Sequence, residues 1–257
     1  MSQLQALAGS LGALGAASPA LGGGGFTSPD DYDSDALGYW KRGAANWLKA
    51  GDVPVTTLDD QVEKWLDSST ANNDLVRQTG TTLYKPAIHS GCIRLDGTGY
   101  FLADLTAAYT GTNLFYAAKV AVRAQTVNFC RLACVYQDAT ADTAATGGVF
   151  CIHQNPDQIS AYRKAGGPEF SPTTTWTADA LIVVSCHFDG TNMKFYVGGV
   201  QVGADEAISD AFNAQNFNLG RGTGATELFA ADIVEHGLWK DFDATKRTNV
   251  TDWLIAN

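Results

Sequence analysis

The sequence predicts an all-β domain, a two-sheet sandwich or jelly roll, and three observations predict it. From about residue 36 onward, short runs rich in Val, Ile, Phe, Tyr and Thr alternate with Gly, Asn, Asp and Thr punctuation. No helical periods separate those runs, which disfavours a parallel sheet built from βαβ units. The chain has 257 residues, 45% apolar and only 17% charged, enough for one all-β domain with a large core. No fixed-period repeat emerges, so a solenoid or propeller is disfavoured.

The elements can be justified in order. Residues 1–25 hold seven Gly and six Ala, and no Lys or Arg precedes Lys41, so the basic region of a secretory signal is missing. Leu4, Leu7, Leu11 and Leu14 follow a/d spacing, continued at Leu21 after a gap at Ser18. Gly9, Gly12 and Gly15 each cost a helix about 1 kcal/mol relative to Ala. A segment this short is marginal alone in any case. Two readings stand: a disordered Ala/Gly tail, or an assembly arm that orders against a partner or copies of itself, with GGGG at 22–25 as the joint. The stretch SPDDYDSD (28–35) reads as a solvated linker, since four Asp without Glu do not make a calcium loop. Residues 1–35 are therefore expected to be arm and linker, and 36–257 the sandwich.

Candidate strands are Cys92–Leu95, Tyr100–Ala103, Leu114–Arg123, Phe129–Tyr136, Gly148–His153, Ile159–Arg163, Leu181–Phe188, Met193–Val197, Phe217–Leu219 and Leu228–Trp239. Asp189-Gly190 separates two of them, and Gly supplies the positive φ of a tight hairpin. Alternation then puts Phe195 and Val197 on one face, Lys194 and Tyr196 on the other. Near the C-terminus Asp243 can cap a helix whose apolar positions Val250, Trp253 and Leu254 lie at i, i+3 and i+4. That helix is expected to close the domain by covering the sandwich.

Charge and composition exclude several functions. Seventeen basic against 27 acidic residues leave a net charge of −10. That argues against nucleic-acid binding, which needs clustered Lys and Arg, and against docking on an anionic membrane. No stretch approaches ~18 consecutive apolar residues, so a spanning helix is not expected. Cys92, Cys130, Cys134, Cys151 and Cys186 are too few and scattered for a disulfide scaffold, and odd in number. Four of them lie in apolar runs, where a free Cys behaves as a small buried hydrophobe. This points to folding in a reducing compartment, although two pairs plus one free thiol remain an alternative.

Five segments in order carry a resemblance. NWLKAGD (46–52) is similar to an opening strand usually written Leu-Trp-Leu-Asp-Ala-Ser/Gly-Asp. VEKWLDSSTANNDLVRQ (62–78) is similar to a Trp-Asp-Ser segment followed by Asn and a small polar loop. IRLDGTGYFLA (93–103) is similar to a Phe-Asp-Gly-x-x-Tyr-Leu strand pair. Trp176 followed by LIVVSCHFDGTNMKFYVGG is similar to a Trp before a strand, an Asp-Gly turn and a Tyr-Val-Asn-Gly ending. FAADIVEHGLWKDFDATKRTNVTDWLIAN is similar to a last strand and closing helix. From about Asn46 to Asn257 the chain thus resembles a concanavalin A-like, laminin G-like jelly-roll domain, common in bacteriophage virion proteins and bacterial surface proteins. Lys49 stands for the usual Asp and Gly198 for the usual Asn, departures in local turns.

That fold hosts lectins, glucanases and inert adhesive domains, so function must come from a site. Glucanases of this fold carry Glu-x-Asp-x-x-Glu on one strand, supplying the carboxylate pair of double displacement. The nearest match is AADIVE (230–235), with Ala230 at the nucleophile position. The odd spacing of Asp232 and Glu235 is expected to send them to opposite faces as ordinary strand-end residues. No catalytic residues are therefore expected, and no cofactor. Cys130-x₃-Cys134 and Cys151-x-His153, with Cys186-His187 nearby in sequence, fall short of four converging zinc ligands, so no metal is expected. His89, His153, His187 and His236 have no hydrolase elbow, and GRGTG (220–224) lacks the Gly-Lys-Ser/Thr of a phosphate loop. Tyr109, Tyr162 and Phe170 lie near loops and are the candidate glycan contacts, whereas the resemblance makes Trp176 a core residue.

Two function classes follow. One is a noncatalytic phage virion component (head decoration, head fibre or tail-associated) folded in the host cytoplasm. Its arm residues Leu4, Leu7, Leu11 and Leu14 would dock it on other virion proteins or in a homo-oligomer, a trimer by analogy with phage fibres. Its sandwich would be able to adhere to a cell-surface glycan. The other is a secreted or surface carbohydrate-binding module. A degenerate glucanase is spoken against by AADIVE.

Overall fold

The computed structural model describes residues 25–85, 87–88, 91–124, 130–136, 147–155, 158–164, 168–170, 174–208, 211–221 and 228–257, with backbone alone at 147–155, 162–164 and 168–170. Two antiparallel sheets face each other. Among the described residues the first has nine strands. Its order is Val200–Gln201, Asn192–Val197, Leu181–Asp189, Asn113–Val122, Ala230–Lys240, Cys92–Asp96 and Thr82–Lys85. Ala36–Trp40 pairs with the second half of Ala230–Lys240, and Glu206–Ala207 with Asn192–Val197. Among the described residues the second sheet has eleven strands and is centred on Arg131–Tyr136, Ala214–Leu219 and Tyr100–Tyr109. The chain is a jelly-roll β-sandwich with one short C-terminal helix.

Alternation explains which side chains fill the space between the sheets. In Asn113–Val122, residues Leu114, Tyr116, Ala118, Val120 and Val122 point inward and join Ile93, Leu95, Ile233, Leu238, Phe217 and Leu219 in the main core. Phe115 and Ala117 point outward, yet both are fully buried. They are covered by the helix Ala244–Ala256, whose Val250 and Leu254 form a second core with Tyr39, Trp239 and Phe242. The central strand is thus buried on both faces, which is why its sequence is a near-continuous apolar run. Asp243 caps the helix by accepting the Lys246 N–H at 2.8 Å, as expected. None of the described helices is long and apolar enough to cross a membrane.

The stretch 28–35 differs from the expected linker. It forms a 3-10 turn, Pro29–Asp35, with a capping box at Ser28. Asp35 pairs with Lys246 at 2.6 Å, and the Tyr32 hydroxyl accepts from Asn249 Nδ2 at 2.7 Å. Aromatic packing drives this, because Tyr32 stands edge-on to Phe242 and stacks on Phe26. Leu4, Leu7, Leu11 and Leu14 lie outside the described residues.

The Trp-Asp-Ser loop is a clasp. Asp67 accepts the backbone N–H of Tyr39 at 2.9 Å and of Asn73 at 2.8 Å. The Asn73 amide donates to Leu37 O at 2.7 Å, and its oxygen accepts from Thr106. Trp40 Nε1 donates to Asn73 O at 3.1 Å. One short loop therefore satisfies the buried polar groups where the first strand meets the second sheet.

Cys92, Cys130, Cys134 and Cys186 are buried and form no disulfide, as apolar strand residues should. Burial pushes the Cys92 thiol up to about 12, so it stays protonated and inert. The Cys151 side chain lies outside the described residues.

Candidate functional site

The strand Ala230–Lys240 corrects one expectation. Its register against Asn113–Val122 pairs Asp232 with Ala121 and Ile233 with Val120, then skips Val234 and pairs Glu235 with Lys119. This β-bulge adds one residue, so Asp232 and Glu235 share the outer face instead of lying on opposite faces. Nor are they ordinary strand-end residues, for both are buried. Asp232 is held by a two-pronged Arg94 contact, Nε to Oδ1 at 2.6 Å and Nη2 to Oδ2 at 2.7 Å. Glu235 accepts from the Tyr39 hydroxyl. Burial pushes the Glu235 carboxyl up, against the pull of Tyr39 and Arg42. Lys119, its register partner, donates to Leu254 O at 3.0 Å at the end of the helix. Burial lowers the Lys119 ammonium below its ordinary value. Each carboxylate is committed to an internal partner.

A second constellation lies where the outer face of the first sheet meets the start of the helix. The hairpin Leu181–Asp189/Asn192–Val197 forms as expected, with Gly190 at φ +99°. Its register sets His187 beside Lys194 and Ser185 beside Tyr196, all facing outward. His187, Lys194, Tyr196, the turn 241–243 and Arg247 line a cleft of about 540 Å³. His187 Nε2 lies 2.7 Å from Phe242 O. A carbonyl only accepts, so Nε2 carries the proton and Nδ1 is left as an acceptor. Burial lowers the pKa of His187, which keeps the ring neutral. Burial alone would raise the Asp189 carboxyl, but Lys194 and the N–H groups of Asn192 and Thr191 outweigh it and hold it well below the usual range. The Arg247 guanidinium stacks over Tyr196, 4.2 Å from the ring centroid.

No protein-family model and no curated protein matches this sequence. Solved structures do match in shape. A GH54 α-L-arabinofuranosidase soaked with a cyclic sulfate inhibitor aligns with a TM-score of 0.69 at 9% identity, over 90% of this chain and 65% of that one. An arabinofuranosidase complexed with arabinofuranosyl-α-1,2-xylobiose gives 0.65 at 11% identity, over the same shares. The binding domain of botulinum neurotoxin serotype G gives 0.58 at 10%, over 86% of this chain and 51% of that one. The chain has a lectin-like β-sandwich fold. It spans less than two thirds of the length of these structures.

Of the expected glycan contacts in this lectin-like sandwich, Tyr109 is the one whose side chain is described. The Tyr109 hydroxyl donates to Asn113 O at 2.6 Å and accepts the Asn113 N–H at 3.1 Å, stapling the loop between two strands. Tyr162 and Phe170 are register partners on neighbouring strands near the edge of the second sheet, and their side chains lie outside the described residues. Trp176 is partly buried against the main core, in line with the resemblance. Among the described residues no three His, Cys, Asp or Glu side chains converge as metal ligands do. The cleft residues Tyr196, Asp241 and Arg247 form no motif. The one signal for them was the outward alternation of Lys194 and Tyr196.

Proposed function

We propose that the chain is a noncatalytic, lectin-like recognition component of a phage virion, whose sandwich adheres to a glycan while its N-terminal arm attaches it to other virion proteins. The observation that carries the noncatalytic part is the fate of the carboxylates on Ala230–Lys240. Double displacement needs two open carboxyl groups about 5–5.5 Å apart across a sugar. Here Asp232 is neutralised by Arg94, Glu235 is buried under Tyr39, and position 230 is Ala. The resemblance in motif order supports the virion reading. Four buried cysteines that form no disulfide favour folding in a reducing cytoplasm over export as a surface module.

The test has three arms. The full chain applied to a glycan array should bind, and incubation with β-glucans should release no reducing sugar above background. Mass spectrometry of purified phage particles encoding the chain should find it there. A negative array removes the recognition role. Sugar release abolished by Glu235→Gln overturns the noncatalytic one, and absence from particles overturns the virion placement.

A further inference from the structure

The cleft at the start of the helix differs from the carboxylate strand in one decisive way: several of its polar groups are uncommitted. Among the described residues the Tyr196 hydroxyl and the Asp241 carboxylate have no hydrogen-bond partner. Arg247 engages one, Thr248 Oγ1 at 3.2 Å, which leaves most of its five donors open. His187 offers Nδ1, because its other nitrogen is tied to Phe242 O. The remaining charged groups are already engaged. Lys194 sits 2.6 Å from Asp189 and 3.4 Å from Asp205, and Asp243 is used in capping the helix. The uncommitted groups at the opening are therefore one cation, Arg247, one carboxylate, Asp241, a hydroxyl and an imidazole acceptor, beside the helix-capping Asp243 and the Gln201 amide.

That inventory selects a ligand class. An ion would find its charge opposed by either Asp241 or Arg247. A neutral ligand whose groups both donate and accept can use all four, and vicinal hydroxyls have that property. A volume of about 540 Å³ lies within the ~300–1,000 Å³ of small-ligand sites and suits one sugar ring. The floor is rigid, since both strands are paired throughout the hairpin and Asn113 ties down the turn through Phe242 N at 3.0 Å and Phe242 O at 3.0 Å.

We propose that this cleft binds one neutral sugar unit, with Arg247 and Asp241 gripping neighbouring hydroxyls and Tyr196 and His187 completing the hydrogen bonds. The proposal deepens the recognition reading and rests on it. It places the glycan contact on the outer face of the first sheet, at the helix, and not at Tyr109, Tyr162 or Phe170.

Saturation-transfer NMR on the full chain tests it, using free glucose, galactose and mannose as probes, with glucuronate and glucosamine as anionic and cationic controls. Transfer to at least one neutral hexose is expected. Affinity should fall at least fivefold in Arg247→Ala and in Asp241→Asn, and Asn tolerates the positive φ of +55° at position 241. Arg247→Lys, which keeps the charge but loses the planar fork, should fall between wild type and Arg247→Ala. Thermal melting of each variant checks that the fold persists. Stronger transfer to either charged control overturns the neutral ligand class. Undiminished transfer in all variants overturns the location. An array that binds glycan while the cleft variants bind equally well removes the cleft and leaves the recognition role standing, whereas a blank array and no transfer remove both.

Discussion

Trp40 and His236 stack in the middle of the sandwich, with ring centroids 4.7 Å apart and planes 19° from parallel. Phe217 stacks on Trp40 at 5.1 Å and lies near-parallel to the imidazole at 5.9 Å, and Trp65 meets the imidazole edge-on. Neither ring nitrogen of His236 has a partner among the described residues. Burial lowers its pKa to about 3 from the ordinary 6.5. Below pH 6.5 the unfolded chain takes up a proton that the folded chain refuses, so stability falls as pH drops toward 3, by on the order of 5 kcal/mol in all. His236→Phe keeps the stacking and removes the titration. Urea unfolding from pH 7 to pH 4 should show a shallower acid loss in this variant, and an unchanged slope would rule out His236 as its source.

Tyr39→Phe removes the hydroxyl that donates to Glu235, and leaves the carboxylate buried. The expected cost at pH 7 is about 1–3 kcal/mol. The sign with pH is opposite to that of His236. Burial raises the Glu235 pKa, so the carboxylate is a liability above that value and the penalty shrinks as pH falls and the group protonates. Denaturant midpoints for the variant and wild type should therefore draw together as pH falls from 7 and Glu235 protonates. Parallel curves would place the effect elsewhere.

Gly38 and Gly237 each begin a Gly-x-Trp triplet, and in both the Trp folds back over its glycine. A Cβ at Gly237 would lie 2.2 Å from the Trp239 ring, and one at Gly38 would lie 2.2 Å from the Trp40 ring. Gly237→Ala is expected to cost about 1–3 kcal/mol through overpacking. At ~2–4 °C per kcal/mol the melting temperature should drop by several degrees. An unchanged transition would mean that Trp239 can leave the second core without loss.

The ten strands expected from apolar runs all exist, with ends shifted by a few residues, because each alternates or sits buried on both faces. The Asp189-Gly190 hairpin and the Asp243 cap were legible because turn and cap chemistry is local. The first strand, Ala36–Trp40, was not legible as a strand: all five residues are buried, so it shows no alternation, and it holds a glycine. The bulge at Val234 was hidden for a different reason, since it exists only in the pairing with Lys119 and Val120. The same holds for Arg94 and Asp232, 138 residues apart in sequence, and for a cleft that draws on His187, Tyr196, Asp241 and Arg247. Sites made by folding leave no spacing to read.

The N-terminal arm and the body meet at Phe26. Its ring stacks on Tyr32 at 5.2 Å, Tyr32 meets Phe242 at 5.3 Å, and Asp35 and Tyr32 are bound to Lys246 and Asn249 of the helix. Removing residues 1–24 should therefore leave the melting transition within about 2 °C of the full chain, while removing residues 1–35 strips the outer core and should cost about 2–5 kcal/mol. The arm itself is expected to act in assembly. Its stripe of Leu4, Leu7, Leu11 and Leu14 is worth ~1.5–3 kcal/mol per fully buried Leu, and the glycines between them disfavour a stable helix without a partner. Leu7→Ser with Leu11→Ser should then abolish particle incorporation, or the homo-oligomer mass seen by light scattering, without moving the melting transition. If the double variant assembles like wild type, attachment belongs to the sandwich surface and the arm has no part in it.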